Sequence, residues 1–116
     1  MDYRFLGPHR LMIRDSTRTE AFARAIEETI KPGSVVLDVG AGTGIFSLMA
    51  ARAGAARVYA VERTSAARMV GRLAYINKLT DVIRVIRQDV RAVSIPQKVD
   101  FVISEWMGSI GVDENM

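Results

Sequence analysis

Glycines in the first half of the chain have the spacing needed to hold a nucleotide. Residues 37 to 44 read LDVGAGTG, and such glycines let the backbone turn tightly and bring its amides close to a ligand. The spacing is G-x-G-x-G, whereas a nicotinamide-dinucleotide fingerprint reads G-x-G-x-x-G. Glu62 ends a later apolar run, where its carboxylate can accept both hydroxyls of a ribose. These residues indicate a ligand-binding turn; the alternative is a glycine turn without a ligand and a surface glutamate.

Two carboxylates near the end of the sequence form a second candidate site. Glu105 and Glu114 are nine residues apart in the segment SEWMGSIGVDENM, directly after an apolar run. Two carboxylates can grip a planar cation that carries several N–H donors, because each carboxylate matches such a fork with paired hydrogen bonds. The alternative is that Glu105 merely ends a strand and that Glu114 is a solvated loop charge.

Alternating strands and helices must position both clusters. The short β-branched run Val35–Val39 lies between Pro32-Gly33 and Gly40, which predicts a buried strand. Residues 45 to 53 are rich in Ala, Leu and Met and precede Gly54, which is typical of a helix and its C-cap. The other predicted elements are a helix over Ser16–Ile30, a strand over Arg57–Glu62, a helix from Thr64 or Ser65 to about Lys78, and strands over Val82–Arg87 and Val99–Ser104.

This order of elements predicts an α/β fold, a Rossmann-like doubly wound parallel sheet with an N-terminal helix. The first helix is expected to present Phe22, Ile26 and Ile30 on one face, and the third helix to group Met69 and Ile76 with Leu73. A ligand crevice in such a sheet lies outside the carboxyl ends of the strands. Both candidate clusters follow such ends, so we expect them at the same edge.

The composition limits the classes of protein that remain. The chain has 116 residues, room for one domain, and its 49% hydrophobic and 25% charged residues are typical of a globular protein. Net charge is +3, but the basic residues are scattered, which argues against nucleic-acid binding through charge alone. No apolar run reaches the ~18 residues of a membrane span, and there is no cysteine for a disulfide. We therefore expect a cytoplasmic protein, or a nuclear one in a eukaryote.

Four stretches of the sequence resemble the protein arginine N-methyltransferases, a family of class I S-adenosylmethionine-dependent methyltransferases. They are HRLMIRDSTRT from His9, VLDVGAGTGIFS from Val36, VYAVE from Val58, and SEWMG from Ser104 with a second glutamate at 114. The stretches run in order over nearly the whole chain, and the last is the most specific. The resemblance implies transfer of a methyl group from S-adenosyl-L-methionine to a guanidino nitrogen of arginine in a protein or peptide.

The resemblance also implies roles for individual residues. Glu105 and Glu114 would be catalytic, because two carboxylates can fix the plane of a guanidinium and draw positive charge from the attacking nitrogen. Arg18 would pair with the methionyl carboxylate of the cofactor, and Met12 would line the methyl-transfer pocket and favour monomethyl and asymmetric products. The full set of cofactor-binding candidates is His9, Met12, Arg18, Asp38, Gly40, Gly42, Thr43, Glu62, Asp89 and Val90. No metal ligand is expected.

The sequence departs from the family pattern at two places. Arg91 stands where a family glutamate takes the adenine amino group, so we expect Asp89 to substitute. The β-barrel and the Thr-His-Trp loop of the family are not encoded, so residues 1–31 are assigned to a cofactor-covering segment and helix and residues 32–116 to an incomplete S-adenosylmethionine-binding domain.

The sheet is therefore expected to stop after its fourth strand, in the order 3-2-1-4. That leaves an uncovered edge through which copies of the chain could associate, and makes the isolated chain a poor catalyst. Two alternatives stay open: a methyltransferase of the same fold that acts on a small molecule or RNA, and a non-catalytic module that binds the cofactor or a partner.

Overall fold

The computed structural model describes residues 16–104 and 109–112, with side chains from residue 20 to residue 104. The elements alternate as the sequence predicts, with ends that differ by a few residues. The described helices are α1 (Ser16–Thr29), α2 (Ile45–Arg52) and α3 (Ala67–Ile76), and a 3-10 turn covers Val90–Ala92. The strands are β1 (Val35–Val39), β2 (Arg57–Val61), β3 (Ile83–Ile86), β4 (Phe101–Ser104) and β5 (Ser109–Val112).

The sheet has the order β3-β2-β1-β4-β5. The first four strands are parallel, so the predicted order and the Rossmann-like fold are confirmed. Their carboxyl ends are aligned, since Val39 pairs with Val61 on one side and with Ser104 on the other, and Val61 pairs with Ile86. The residues that follow these strands therefore meet at one edge, where a doubly wound sheet binds its ligand.

The fifth strand differs from the expectation that β4 forms an uncovered edge. β5 pairs antiparallel with β4, with Phe101 opposite Val112 and Ser104 opposite Ser109. The reason is geometric, because only residues 105–108 separate the two strands. A parallel return needs a crossover of about a dozen residues, whereas a short connection permits only antiparallel pairing. Association through an open β4 edge is therefore not supported by this arrangement.

The two faces of the sheet carry different covers. One face packs against the three described helices, through Ile26 of α1, Ile30 directly after it, Phe46 of α2 and Val70 of α3. The ring of Phe22 meets that of Phe46 edge to face, with the centroids 4.6 Å apart, which supports the inner face predicted for α1. The other face buries Leu37, Tyr59 and Val61, and side chains from the connection between β3 and β4 pack on it. The predicted division between a covering segment, residues 1–31, and a cofactor-binding domain, residues 32–116, stays a prediction. In the described part of the chain, α1 packs into the same core as the sheet.

The inner face of α3 is not the one that the sequence predicts. Val70 and Ala74 are almost fully buried, whereas Met69 is 58% and Ile76 64% exposed. The cause is a close approach between helices: a Cβ built on Gly44 at the start of α2 would lie 3.1 Å from the Val70 Cα. Small and β-branched side chains fit this contact, and longer ones must point away from it.

Gly44 is expected to be the most sensitive glycine of the fold. Gly44→Ala places a methyl group against the Val70 backbone at a φ of +89°, so it combines backbone strain with overpacking. Gly33→Ala is a matched control, because Gly33 has a φ of +84° and nothing within 4 Å of the added atom. We expect Gly33→Ala to cost about 1–2 kcal/mol in the free energy of unfolding and Gly44→Ala about 1–3 kcal/mol more. Equal losses in urea denaturation would show that the contact with Val70 is unimportant.

Candidate functional site

The glycine turn after β1 folds across the end of β2. The backbone N–H of Gly40 donates to the Val61 carbonyl at 2.9 Å, and that of Ala41 donates to the same oxygen at 3.1 Å. Gly40 and Gly42 have φ values of 68° and 58°, a region that glycine occupies without steric cost. The predicted tight turn is therefore present, and it is anchored to the neighbouring strand.

Glu62 lies directly after β2, and its carboxylate is held by three hydrogen bonds. The side chain is buried, with the residue only 8% exposed. Its Oε1 accepts from the Gly42 N–H at 2.9 Å, and its Oε2 accepts from the Thr64 N–H at 3.1 Å and from the Thr64 hydroxyl. Burial acts to raise the pKa of Glu62, but these hydrogen bonds and the nearby charge of Arg63 lower it below its ordinary value. The carboxylate is therefore charged and fixed in orientation at neutral pH.

A cleft of about 200 Å³ opens at this edge of the sheet. It brings together Gly40, Glu62, Asp89 and Val90, which are four of the predicted cofactor-binding residues and follow three different strands. The remaining lining residues are Val39, Val61, Arg63 and Gln88. A buried carboxylate beside apolar walls and backbone amides suits a ligand that has hydroxyl groups and a flat apolar part.

Asp89 caps the 3-10 turn beyond β3 and is paired with Arg91. Its Oδ1 accepts from the Arg91 backbone N–H at 2.9 Å and from Nε at 3.1 Å, and its Oδ2 accepts from the Arg91 Nη2 at 2.9 Å. These bonds, with the side chain of Arg91 first among the causes, hold the pKa of Asp89 well below its usual range. The same pairing raises the pKa of Arg91. The arginine that departs from the family pattern is thus attached to the aspartate expected to replace the family glutamate.

Three other predicted residues support the cleft or adjoin it. Asp38 is 1% exposed and lies within β1, where its Oδ2 accepts from the Ser47 hydroxyl at 2.6 Å. This bond ties the middle of β1 to α2, so the described role of Asp38 is to fix the strand and helix on either side of the glycine turn. Gly42 contributes its amide to Glu62, and Thr43 is exposed on the turn. None of the three lines the cleft.

The remaining predicted site residues are described only in part. His9, Met12, Glu105 and Glu114 lie outside the described residues, and Arg18 is described only as part of the backbone of α1. Ser104 pairs with Val39 at the cleft edge, and Glu105 is the next residue in sequence. Val112 pairs with Phe101 at the far end of β4, and Glu114 follows it by two residues. These two strand ends are about 10 Å apart, one strand length.

Sequence reasoning missed Arg63, Thr64 and Gln88. Gln88 and Arg63 line the cleft, and Thr64 bonds to Glu62. The signal that could have found them is position, because each lies within two or three residues of the carboxyl end of β2 or β3. The sequence predicted that a helix starts at Thr64 or Ser65, yet α3 begins at Ala67 and has no side-chain cap. In the part of the chain with described side chains there is no cluster of metal-binding residues, and no described helix is long and apolar enough to cross a membrane.

Comparison with known families agrees with this geometry. The model of a family described as the TRM5/TYW2 methyltransferase domain matches residues 9–112. The chain belongs to this methyltransferase family. That membership confirms the class I S-adenosylmethionine-dependent methyltransferase expected from the resemblance, and the match extends over every described element.

Curated relatives of this chain are named protein arginine N-methyltransferases. Protein arginine N-methyltransferase 6 of Danio rerio is 43% identical over 110 residues, which are 93% of this chain and 32% of that protein. Probable protein arginine N-methyltransferase 6.1 of Oryza sativa subsp. indica is 44% identical over 116 residues, which are 98% of this chain and 31% of that protein. The predicted membership of the protein arginine N-methyltransferases is confirmed, and the chain spans less than a third of the length of these relatives.

Solved structures similar to this chain include both arginine methyltransferases and a tRNA methyltransferase. Protein arginine methyltransferase 10 of Arabidopsis thaliana matches with a TM-score of 0.76 and 40% identity, over 84% of this chain and 29% of that one. The PRMT1 enzyme–prozyme heterotetramer of Trypanosoma brucei, solved with AdoHcy, matches with a TM-score of 0.76 and 38% identity, over 84% and 32%. The tRNA m1G37 methyltransferase of M. jannaschii matches with a TM-score of 0.62 and 31% identity, over 71% and 24%.

The lowered pKa of Glu62 gives the fold a specific pH dependence. A carboxyl whose pKa falls on folding stabilises the protein above its ordinary pKa, near 4.5 for this group, and this contribution is lost as the pH falls through the folded value. We expect Glu62→Gln to lower the free energy of unfolding by about 1–2 kcal/mol at pH 7, and the difference from wild type to shrink below pH 4.5.

Glu27→Gln is the matched control for that measurement, because Glu27 is exposed on α1. It should change the free energy of unfolding by less than about 0.5 kcal/mol. Urea denaturation at pH 7 and pH 4 measures both variants. A Glu62→Gln deficit that is the same at both pH values would show that the charge of Glu62 contributes nothing to stability.

Proposed function

We propose that this chain binds S-adenosyl-L-methionine and forms the cofactor-binding part of an enzyme that methylates arginine in proteins. The observation that carries the proposal is the cleft in which Gly40, Glu62, Asp89 and Val90 meet at the carboxyl edge of the parallel strands. The relatives named protein arginine N-methyltransferase support the substrate class. The structure solved with AdoHcy supports the cofactor.

The described residues fit the cofactor. The Glu62 carboxylate can accept a ribose hydroxyl, since its Oε1 has a second lone pair beyond the bond from Gly42, whereas its Oε2 already accepts two bonds from Thr64. Asp89 and Val90 lie where an adenine would contact the cleft wall, and the amides of the glycine turn lie between β1 and α2. Arg18 is proposed to pair with the methionyl carboxylate, with His9 and Met12 in the covering segment. When bound, S-adenosylmethionine supplies a methyl group activated by a sulfonium.

Glu105 is the residue proposed to receive the substrate at this edge. It follows Ser104 directly, and Ser104 ends β4 beside Val39 of the cleft. A carboxylate there can bind a guanidinium through paired hydrogen bonds and orient one nitrogen towards the methyl group. Holding the reactants in line contributes much of the catalysis in such a transfer, up to roughly 7–11 kcal/mol.

The proposed role of Glu114 has less support from the described backbone than that of Glu105. Val112 pairs with Phe101 at the end of β4 away from the cleft, and Glu114 follows two residues later in sequence. Glu105 follows Ser104, which pairs with Val39 at the cleft edge. Glu114 is proposed as the second carboxylate of the clamp on the resemblance to the family.

A methyltransferase that acts on RNA is the second candidate. The matching TRM5/TYW2 model and the similarity to a tRNA methyltransferase structure favour it. The identity to that structure is 31%, against 43% and 44% to the arginine methyltransferases, and the basic residues form no patch in the sequence. Arginine is therefore the preferred substrate, and the product is proposed to be monomethyl or asymmetric dimethyl arginine.

A cytoplasmic location, nuclear in a eukaryote, also remains a proposal.

Assembly with other chains is proposed only in general terms. One similar structure is a heterotetramer, which supports an oligomeric enzyme. The open edge first expected on β4 is occupied by β5, so it does not supply the contact.

Calorimetry with S-adenosylhomocysteine tests the cofactor proposal directly on this chain. We expect measurable binding and a rise in the melting temperature, because a ligand that binds only the folded state stabilises it. Glu62→Gln should weaken binding about tenfold, through loss of one charge-assisted acceptor. The exposed Glu27→Gln should bind as wild type does. No heat and no thermal shift with wild type would remove the proposed function.

Variants at the two glutamates test the substrate. In the full-length gene product, Glu105→Gln should reduce methylation of an arginine peptide about 100-fold, with S-adenosylhomocysteine binding retained. Glu114→Gln should do the same, because the clamp needs both carboxylates. Methylation of transfer RNA and not of the peptide would favour the second candidate, and unchanged peptide methylation by Glu105→Gln would exclude the clamp.

A further inference from the structure

Thr64 makes contacts that its position ahead of α3 does not require. The helix begins at Ala67, its N-cap is Ala66, and no side chain caps it. The Thr64 hydroxyl donates to the Glu62 Oε2, and the Thr64 backbone N–H donates to the same oxygen at 3.1 Å. Thr64 is exposed, whereas the carboxylate that it contacts is buried. A surface threonine is therefore fixed to the buried acid of the cleft.

The direction of the Thr64 hydroxyl is determined by its partners. The Ala66 N–H donates to the Thr64 Oγ1 at 3.2 Å, so the oxygen acts as an acceptor on that side. An ionised carboxylate can only accept, so the hydroxyl proton must point towards Glu62. One donor thus has one possible target, and the hydroxyl holds the carboxylate from the side of β2.

The opposite oxygen of Glu62 is held from the side of β1. Its Oε1 accepts from the Gly42 N–H at 2.9 Å, within the glycine turn that folds over the end of β2. A glutamate has a broad terminal torsion when nothing constrains it. Here donors on both oxygens fix that torsion. Oε2 accepts two bonds from Thr64, whereas Oε1 accepts one and keeps a lone pair for a further donor. A hydroxyl of a ribose provides such a donor.

We propose that Thr64 is a positioning residue that orients the Glu62 carboxylate, with the free site on its Oε1, for the ribose hydroxyls of the cofactor. The inference rests on the proposed function, because it assumes that the ligand carries a ribose. The neighbouring Arg63 does not share this role, since it contributes only charge to Glu62. Removing the hydroxyl alone should therefore leave the cleft in place and weaken recognition of the sugar.

Binding of two ligands to Thr64→Val tests the proposal. Valine keeps the shape and removes the hydroxyl. We expect the affinity for S-adenosylhomocysteine to fall about five- to tenfold, and the affinity for its 2′-deoxyribose analogue to fall less than about twofold, because that ligand lacks one of the two hydroxyls. Thr64→Ser should restore the affinity for S-adenosylhomocysteine to within about twofold of wild type.

Thr80→Val is the matched control, because Thr80 is also an exposed threonine and does not line the cleft. It should bind both ligands as wild type does. If Thr64→Val does not fold, Thr64→Ala against Thr64→Ser gives the same comparison. An equal loss for both ligands, or unchanged or tighter binding of S-adenosylhomocysteine, would overturn the proposal. If wild type itself binds no S-adenosylhomocysteine, the proposed function fails and the inference with it. If wild type binds but Thr64→Val gives one of the contrary results, only the inference fails.

Discussion

The hydrogen bond from the Gly42 amide to the Glu62 carboxylate joins the two segments on which the cleft depends. On one side of it, the glycine turn connects β1 to α2 and is anchored to the Val61 carbonyl. On the other side, Glu62 continues from β2, with its own N–H donating to the Ile86 carbonyl of β3 at 3.0 Å. Three parallel strands are thus linked through their ends by backbone and side-chain bonds. Because the Glu62 carboxylate is buried and accepts three hydrogen bonds, it contributes more to stability than an ion pair on the surface would.

Much of the fold could be predicted because its signals are local. The β-branched run of β1, the glycine spacing after it and the alternation of elements each follow from backbone sterics and burial. The packing face of α3 could not be predicted this way. Periodicity alone allows either Met69 and Ile76 or Val70 and Ala74 to face inward, and the choice is made by Gly44, which is far away in sequence and lets the helices approach. Tertiary contact thus overrides the larger side chains.

The candidate site divides in the same way. Gly40, Glu62, Asp89 and Val90 were found because each follows a predicted parallel strand, and the fold then brings them together. Thr64 was missed because a threonine before a helix favours a cap, and only the position of the Glu62 carboxylate shows that its hydroxyl has another partner. The pairing of β5 with β4 was not foreseen either, since the glutamate spacing points to a loop and carries no information about which backbone groups the intervening residues will bond.

The connection between β3 and β4 both lines the cleft and packs on the sheet. Its first residues, Gln88 to Val90, line the cleft, and its next residues, Val93 and Ile95, cover the face of the sheet that has no described helix. It ends at Asp100, whose carboxylate accepts from the Val35 N–H at 2.8 Å. A substitution that reshapes the cleft in this segment must therefore leave the packing of the neighbouring residues intact. Arg91 is exposed and bonds only to Asp89 among the described contacts, and it lies between the residues that line the cleft and those that cover the sheet. A change at Arg91 can therefore alter the charge beside the cleft without disturbing the core.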